Sequence, residues 1–194
     1  MDYKGFQRDQ EQLDGYLKRL SEQLPNEDWG RDARLAYWIN VYNAYTVKLI
    51  LNHYPVNSIR DIYDGNPWDV KWIELEGDQY SLNQIEHHII RKRFDEPRIH
   101  FAVNCAAQSC PPLLPRAFTA ENLDSMLAKA TRAFVNNSSY NKISTNNLKL
   151  SKIFDWYAED FENIQRFIAQ YSNTEVDANA SVSYMDYDWS LNAQ

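Results

Sequence analysis

Glycine is scarce, with 5 in 194 residues. No GxGxxG or GxxxxGK[ST] occurs, so a glycine-rich phosphate cradle is excluded. Cysteine is scarcer still: Cys105 and Cys110 alone cannot form a disulfide framework. They leave three readings: free thiols, one small-loop disulfide, or a reactive thiol. Positive charge is in deficit, with Lys+Arg 20 against Asp+Glu 27, a net charge of −7. That sign argues against nucleic acid or an anionic membrane as the partner. Mean hydropathy is −0.64, and no apolar run approaches the roughly 20 residues that span a bilayer. No integral membrane segment is therefore expected. Met1-Asp2-Tyr3-Lys4 leads into polar sequence without an apolar h-region. No secretory leader is expected here, and the compartment stays open: cytosolic, or secreted or periplasmic if a leader was removed.

Aromatic residues are plentiful: Trp 6, Tyr 13, Phe 8. An unfolded chain does not carry so many, and the length suits one soluble domain with a real core. The reading is a single domain over 1–194, with an N-terminal helical segment (1–30) and a core (31–194). Residues 1–24 have helical apolar spacing up to Pro25. Residues 31–53 carry it most strongly, through Leu35, Trp38, Ile39, Tyr42, Tyr45, Leu49 and Ile50. Ser58 is placed as a cap or turn residue before 59–63. Residues 68–74 and 79–80 are read as strands, and Ser81 as the cap of a helix over 82–93. The run 99–105 is expected to be a central strand, and the proline-rich 106–118 an irregular loop. A helix is expected over 119–136, an edge strand within 137–145, a strand at 148–150, a helix over 153–171 and an aromatic strand over 184–191. The fold class is α+β: several helices on a small, largely antiparallel sheet.

Reactive side chains concentrate in His100-Phe-Ala-Val-Asn104-Cys105-Ala-Ala-Gln-Ser109-Cys110. A thiol at the mouth of a loop can be a nucleophile if a base or a helix terminus lowers its pKa. The plainer reading of Cys105 is a small buried hydrophobe. On a fully extended chain His100 and Cys105 would lie roughly 16 Å apart at about 3.3 Å per residue, on opposite faces. Pairing them requires a sharp bend. His87 and His88 sit side by side on the 82–93 helix, so one faces inward and the other solvent. Glu86 beside them is placed to orient an imidazole. His53 reads as a helix C-terminal residue complementing the dipole. Asn40 and Asn43 share one face of the long apolar helix. They either tie down a loop or line a pocket and serve an oxyanion. Asp188, beside Trp189, is a spare carboxylate for a cleft. No CxxC, HxxxH or HExxH occurs. A zinc set of His87, His100, Cys105 and Cys110 lacks the usual spacing, so neither metal nor cofactor is expected.

Five segments, in order, resemble the family called domain of unknown function 547. They are Ala36-Tyr37-Trp38-Ile39-Asn40-Val41-Tyr42-Asn43-Ala44, the Ser81–Arg91 stretch around Ile85-Glu86-His87, and His100-Phe101-Ala102-Val103-Asn104-Cys105 with Ser109-Cys110-Pro111. The others are Ile153-Phe154-Asp155-Trp156-Tyr157 with Asp160-Phe161, and Tyr187-Asp188-Trp189-Ser190-Leu191-Asn192. The resemblance runs from about Tyr3 to Asn192. It implies that Glu86, His87, His100 and Cys105 hold motif positions, whereas His53 and His88 do not. Cys110 stands where the family often has Ser. In Cys/His content the family is similar to papain- and transglutaminase-like enzymes, but both histidines precede the cysteine, so such a core would be permuted.

The expected activity is that of a cysteine-dependent hydrolase or acyl transferase on an amide, ester or thioester. Cys105 is its nucleophile, and His87 or His100 its base. Glu86 orients an imidazole. Asn40, Asn43, Asn104, Ser109 or the Ala106 N–H meets substrate or oxyanion. The substrate, a small molecule or peptide, is not specified. The alternatives are a non-catalytic binding module, with these residues as a buried polar network, and a thiol-redox protein using Cys105 and Cys110.

Overall fold

The computed structural model describes residues 1–193; Gln194 lies outside them. Its architecture follows from one long apolar helix that cannot reach water. Helix α3 (Arg31–His53) buries Leu35 through Ile39, Val41 through Val47 and Leu49 through Leu51. With so many buried positions its apolar surface wraps round the cylinder, so neighbours must cover it on several sides. Helices α1 (Tyr3–Arg8) and α2 (Gln10–Glu22) cover one side. The expected single helix over 1–24 is broken at Asp9, whose ψ of 23° is not helical. Ser58 does cap a short turn, Ile59–Asp61, with Asp61 answering its backbone N–H.

A hairpin of β1 (Ile73–Leu75) and β2 (Asp78–Tyr80) follows. Its strands are shorter than expected and are joined through Glu76 and Gly77, both at positive φ (48° and 89°). That is the backbone a tight two-residue hairpin loop demands. Ser81 caps the next helix as expected, its Oγ accepting from the Gln84 N–H while the Gln84 side chain accepts from Ser81. The helix itself is π-wound over Gln84–Ile90 before a last α-turn, α4 (Arg91–Arg93). Such widened turns frequently mark functional sites.

Residues 99–105 are not a strand. Pro97–Phe101 form a 3-10 helix, opened by Glu96 accepting from the Arg98 N–H and by Pro97 at its first position. A short apolar run buried on all sides has no periodicity to separate strand from helix. Here it joins two apolar clusters. Ile99 belongs to the cluster built on α3. Phe101 belongs to a second one, where its ring meets Phe134, Phe154, Phe161 and Phe167.

The second cluster packs α5 (Leu123–Val135) against a three-stranded sheet and the helices that follow it. The sheet holds β3 (Lys142–Ile143), β4 (Asn147–Leu150) and β5 (Ser181–Tyr184). β3 pairs antiparallel with β4, and β4 parallel with β5. The expected helix over 153–171 is three pieces: α6 (Ile153–Trp156), a 3-10 turn (Ala158–Phe161) and α7 (Ile164–Tyr171). Glu162, at φ 53°, makes the second break. The expected strand over 184–191 is mostly an irregular strap beyond β5. It laces the 106–109 loop, where the Gln108 and Ser109 N–H groups donate to Ser190 and Asp188 and the Asn192 N–H donates to Ala106. The outcome is an α+β fold with two small sheets, predominantly antiparallel. No helix among the described residues is long and apolar enough to cross a membrane.

Candidate active site

A cavity of about 230 Å³ opens where the two clusters meet. Glu86, His87, His100 and Cys105, four residues singled out by sequence, all line it, with Cys110. The chain bends at the exit from the 3-10 turn, so His100 and Cys105 line the same cavity, with no hydrogen bond between the Cys105 sulfur and His100 Nδ1 among the described residues.

His100 is 2 % exposed. Its Nε2 lies 2.6 Å from Asp160 Oδ2. A carboxylate only accepts, so Nε2 carries the proton and Nδ1 keeps its lone pair. That Nδ1 has no hydrogen-bond partner among the described residues. Tyr157 stacks on the imidazole at 4.0 Å and 20°, holding the ring plane. Burial lowers the His100 pKa, outweighing the opposite pull of Asp160 and Glu86, and so favours the neutral ring. Asp160 is pulled upward by burial, yet hydrogen bonds from His100 and Arg91 hold it well below the usual carboxylate range.

His87 has the reverse arrangement. Arg91, which can only donate, lies 3.1 Å from His87 Nδ1. Neutral His87 therefore carries its proton on Nε2 and is a donor. His88 is exposed, as adjacent positions on one helix require. Glu86 does not orient either imidazole: its carboxylate accepts from the Tyr157 hydroxyl at 2.9 Å. Asp160 takes the orienting place.

Cys105 is partly exposed and Cys110 buried, with their sulfurs 2.8 Å apart. The Cys105 N–H donates to Cys110 Sγ at 2.7 Å. Hydrogen bonding from Cys110 holds the Cys105 thiol below the ordinary cysteine value against the effect of burial; the Tyr187 hydroxyl and the Ala107 N–H act the same way. Burial pushes Cys110 well above that value. Cys105 is thus the sulfur that ionises first. Ala106, at φ 65°, holds a left-handed turn that an L-residue rarely adopts. Strain of this kind costs about 1–3 kcal/mol and is kept only where neighbours enforce it. Here the strap enforces it.

The oxyanion candidates lie elsewhere. Asn40 donates to Phe118 O and accepts from Phe118 N. Asn43 donates to Ala102 O and accepts from Asn104 N. Both asparagines tie loops to α3. Asn104 donates to Pro111 O and accepts from the Ala106 N–H, so that N–H is also engaged. Ser109 Oγ accepts from the Asp188 N–H. Asp188 lies outside the cavity lining, whereas its neighbours Tyr187 and Trp189 are part of it. His53 ends α3 and meets Tyr63 edge-on.

Asp160, Tyr157, Tyr187, Trp156 and the Ala107 N–H were not foreseen as site groups. The signal was present for four of them, since they lie in the two late motif segments. Nothing in the sequence pointed to Ala107. Among the described residues, no three His, Cys, Asp or Glu side chains converge as a metal ion would require.

No curated protein and no solved structure matches the chain. A family model does, described as "Protein of unknown function, DUF547", over residues 26–135. That stretch holds Glu86, His87, His100 and Cys105, and stops short of Tyr157, Asp160 and Tyr187. Because the match covers more than half of the chain, the protein belongs to the DUF547 family.

Proposed function

We propose that the protein is a cysteine-dependent hydrolase or acyl transferase acting on an amide, ester or thioester. One observation carries this reading: the Cys105 thiol shares a cavity with an imidazole that Asp160 anchors through Nε2 and whose Nδ1 has no hydrogen-bond partner among the described residues; the lowered thiol pKa points the same way. Nucleophile, base and orienter are the three parts such chemistry needs. The Cys105 sulfur attacks the acyl carbon and its proton passes to His100 Nδ1. The carbon–leaving-group bond breaks as that proton moves to the leaving group. Water or another acceptor then releases the acyl group from sulfur. His87, with its proton on Nε2, and the Ala107 N–H are the donors available to the oxyanion. Base precedes nucleophile in the chain and the orienting carboxylate follows, in keeping with a permuted papain- or transglutaminase-like core.

The test is acylation by p-nitrophenyl acetate, followed by release of nitrophenolate and by peptide mass spectrometry. The expected adduct is on Cys105 and is absent in Cys105→Ala. His100→Ala slows acylation by about 10²–10⁴, the usual contribution of a positioned base. Acylation that appears only in denaturant, or equally fast without His100, overturns the reading.

The 2.8 Å approach of the two sulfurs favours thiol redox as a second reading. Cys105 and Cys110 would lose two protons and two electrons to a peroxide, which is reduced to water or alcohol as a disulfide forms. A reversible two-hydrogen mass loss, absent in Cys110→Ser, supports it. Acylation of Cys105 that persists in Cys110→Ser, where no disulfide can form, separates it from the first.

A further inference from the structure

Glu86 is left without a task once Asp160 orients His100. It is 5 % exposed and lines the cavity. Among the described residues it takes part in no ion pair, and its side chain has one hydrogen-bond partner, the Tyr157 hydroxyl. The guanidinium five residues along, Arg91, is engaged with other groups. It donates to both Asp160 oxygens at 2.6 and 2.8 Å, to Glu159 at 2.9 Å, and meets His87 at 3.1 Å. A buried carboxylate with no counter-ion is costly, and a ligand of opposite charge placed beside it offsets that cost.

The rest of the lining supplies the second observation. Tyr42, Tyr157, Trp68, Trp156, Tyr187 and Trp189 surround the cavity. Trp156 is 45 % exposed and packs with Tyr187 at 4.8 Å and Trp189 at 5.6 Å, so an aromatic wall faces incoming ligand. Aromatic faces attract cations, and the chain's net charge of −7 adds to the field.

We propose that this cavity receives a cationic group, an alkylammonium or alkylguanidinium, with Glu86 as its counter-ion and the aromatic rings as its walls. In the acyl-transfer reading, on which only this placement relative to the thiol rests, the group belongs to the substrate. It is a basic side chain beside the bond attacked, or the amine that accepts the acyl group. A buried carboxylate excludes an anionic acyl chain from the same position.

The test keeps binding apart from chemistry by using the full chain as Cys105→Ala/Cys110→Ser, which cannot be acylated. Tryptophan fluorescence is titrated with butylammonium, butylguanidinium, 1-pentanol and pentanoate. The expected order is saturable binding of one or both cations, at least tenfold tighter than pentanol, with pentanoate weakest. Preference for the guanidinium or the ammonium identifies which head group fits. Glu86→Gln is expected to remove the cation preference, with its fold checked by thermal unfolding. Trp156→Ala, at an exposed position, is expected to weaken cation binding about two- to fivefold, as a solvent-facing cation–π contact would. Equal affinity for pentanol and the cations overturns the proposal, as does a Glu86→Gln protein that folds and keeps the preference. Failed acylation in the unsubstituted protein would instead overturn the acyl-transfer reading and leave this titration interpretable.

Discussion

The cavity has two walls of different construction. The wall from α3 and the π-wound turn is helical: Tyr42, Glu86 and His87 project from elements whose backbone groups are satisfied within the helix. The wall from residues 153–189 is assembled from broken turns and a strap, and its members reach the cavity because the chain repeatedly stops being regular. The helical wall carries a carboxylate without a counter-ion among the described residues and a donor imidazole. The irregular wall carries Tyr157, which stacks on His100, and Tyr187, whose hydroxyl meets the Cys105 sulfur; Asp160, behind that wall, fixes the His100 tautomer. The two residues that do the proposed chemistry belong to neither wall. They lie on the segment that joins the two clusters, so each wall can be altered separately while the other is read.

The largest effect on folding is expected from attacking the joint itself. Phe101→Ala should cost about 3–5 kcal/mol in urea unfolding. Phe161 packs against both Phe101 and His100, so the same change should also slow acylation. Stability lost with acylation unchanged would mean that the second cluster does not hold the base.

Asn43→Ala cuts the joint's tie to α3. It leaves the Asn104 N–H and the Ala102 carbonyl unpaired in a buried place, at about 1–3 kcal/mol. Asn40→Ala, half-buried with a single loop residue as its partner, should cost less. The reverse order would show that the 118 loop matters more than the Cys105 approach.

The irregular wall should show itself in pH dependence. His100 has a lowered pKa in the folded state because it is buried, while unfolded histidine titrates near about 6.5. Below that pH the unfolded chain binds the extra proton first, so stability falls as the pH drops from about 6.5 toward the folded value. Asp160, also lowered, acts in the same direction but below the usual carboxylate pKa of about 3.9, a separate window. Urea midpoints should decline between pH 7 and 5 in the unsubstituted protein and decline less in His100→Gln. An identical slope in both would place the titration elsewhere. The smallest effect is expected at the solvent-facing neighbour of His87. His88→Ala should change stability by no more than about 0.5 kcal/mol and leave cation binding and acylation intact. A large loss would mean that the π-wound turn presents the other imidazole.

The helical wall was legible in sequence. Leu35 through Ile50 recur at helical spacing over more than four turns, and Ser81 announces a capped start. Glu86, His87, His100 and Cys105 were legible as chemistry because few reactive side chains exist to choose from, and the family resemblance selected among them. Beside the break at Asp9, the shortened hairpin strands and the place given to Glu86, the larger misreadings were at 99–105, 153–171 and 184–191. In each, local pattern allowed two structures, and long-range packing or strap hydrogen bonds selected one. A continuous helix would have satisfied the spacing from Phe154 to Ile168. The turn at Glu162 and the tie from Asp160 to Arg91 and His100 instead place Tyr157 and Asp160 at the site.

By itself the sequence determined the class: α+β, acidic, built on one buried helix, with a thiol at the mouth of a proline-rich loop. Apolar periodicity, capping residues and charge are properties of neighbours along the chain, so they can be read from it. Tertiary structure alone decided which nitrogen of His87 and of His100 is free, which sulfur ionises first and which buried carboxylate lacks a counter-ion among the described residues. Arg91 meets His87 four positions away on the same helix, but the rest depend on Asp160, Arg91, Tyr157 and Tyr187 meeting residues sixty to more than eighty positions away, and no local pattern encodes a meeting at that distance.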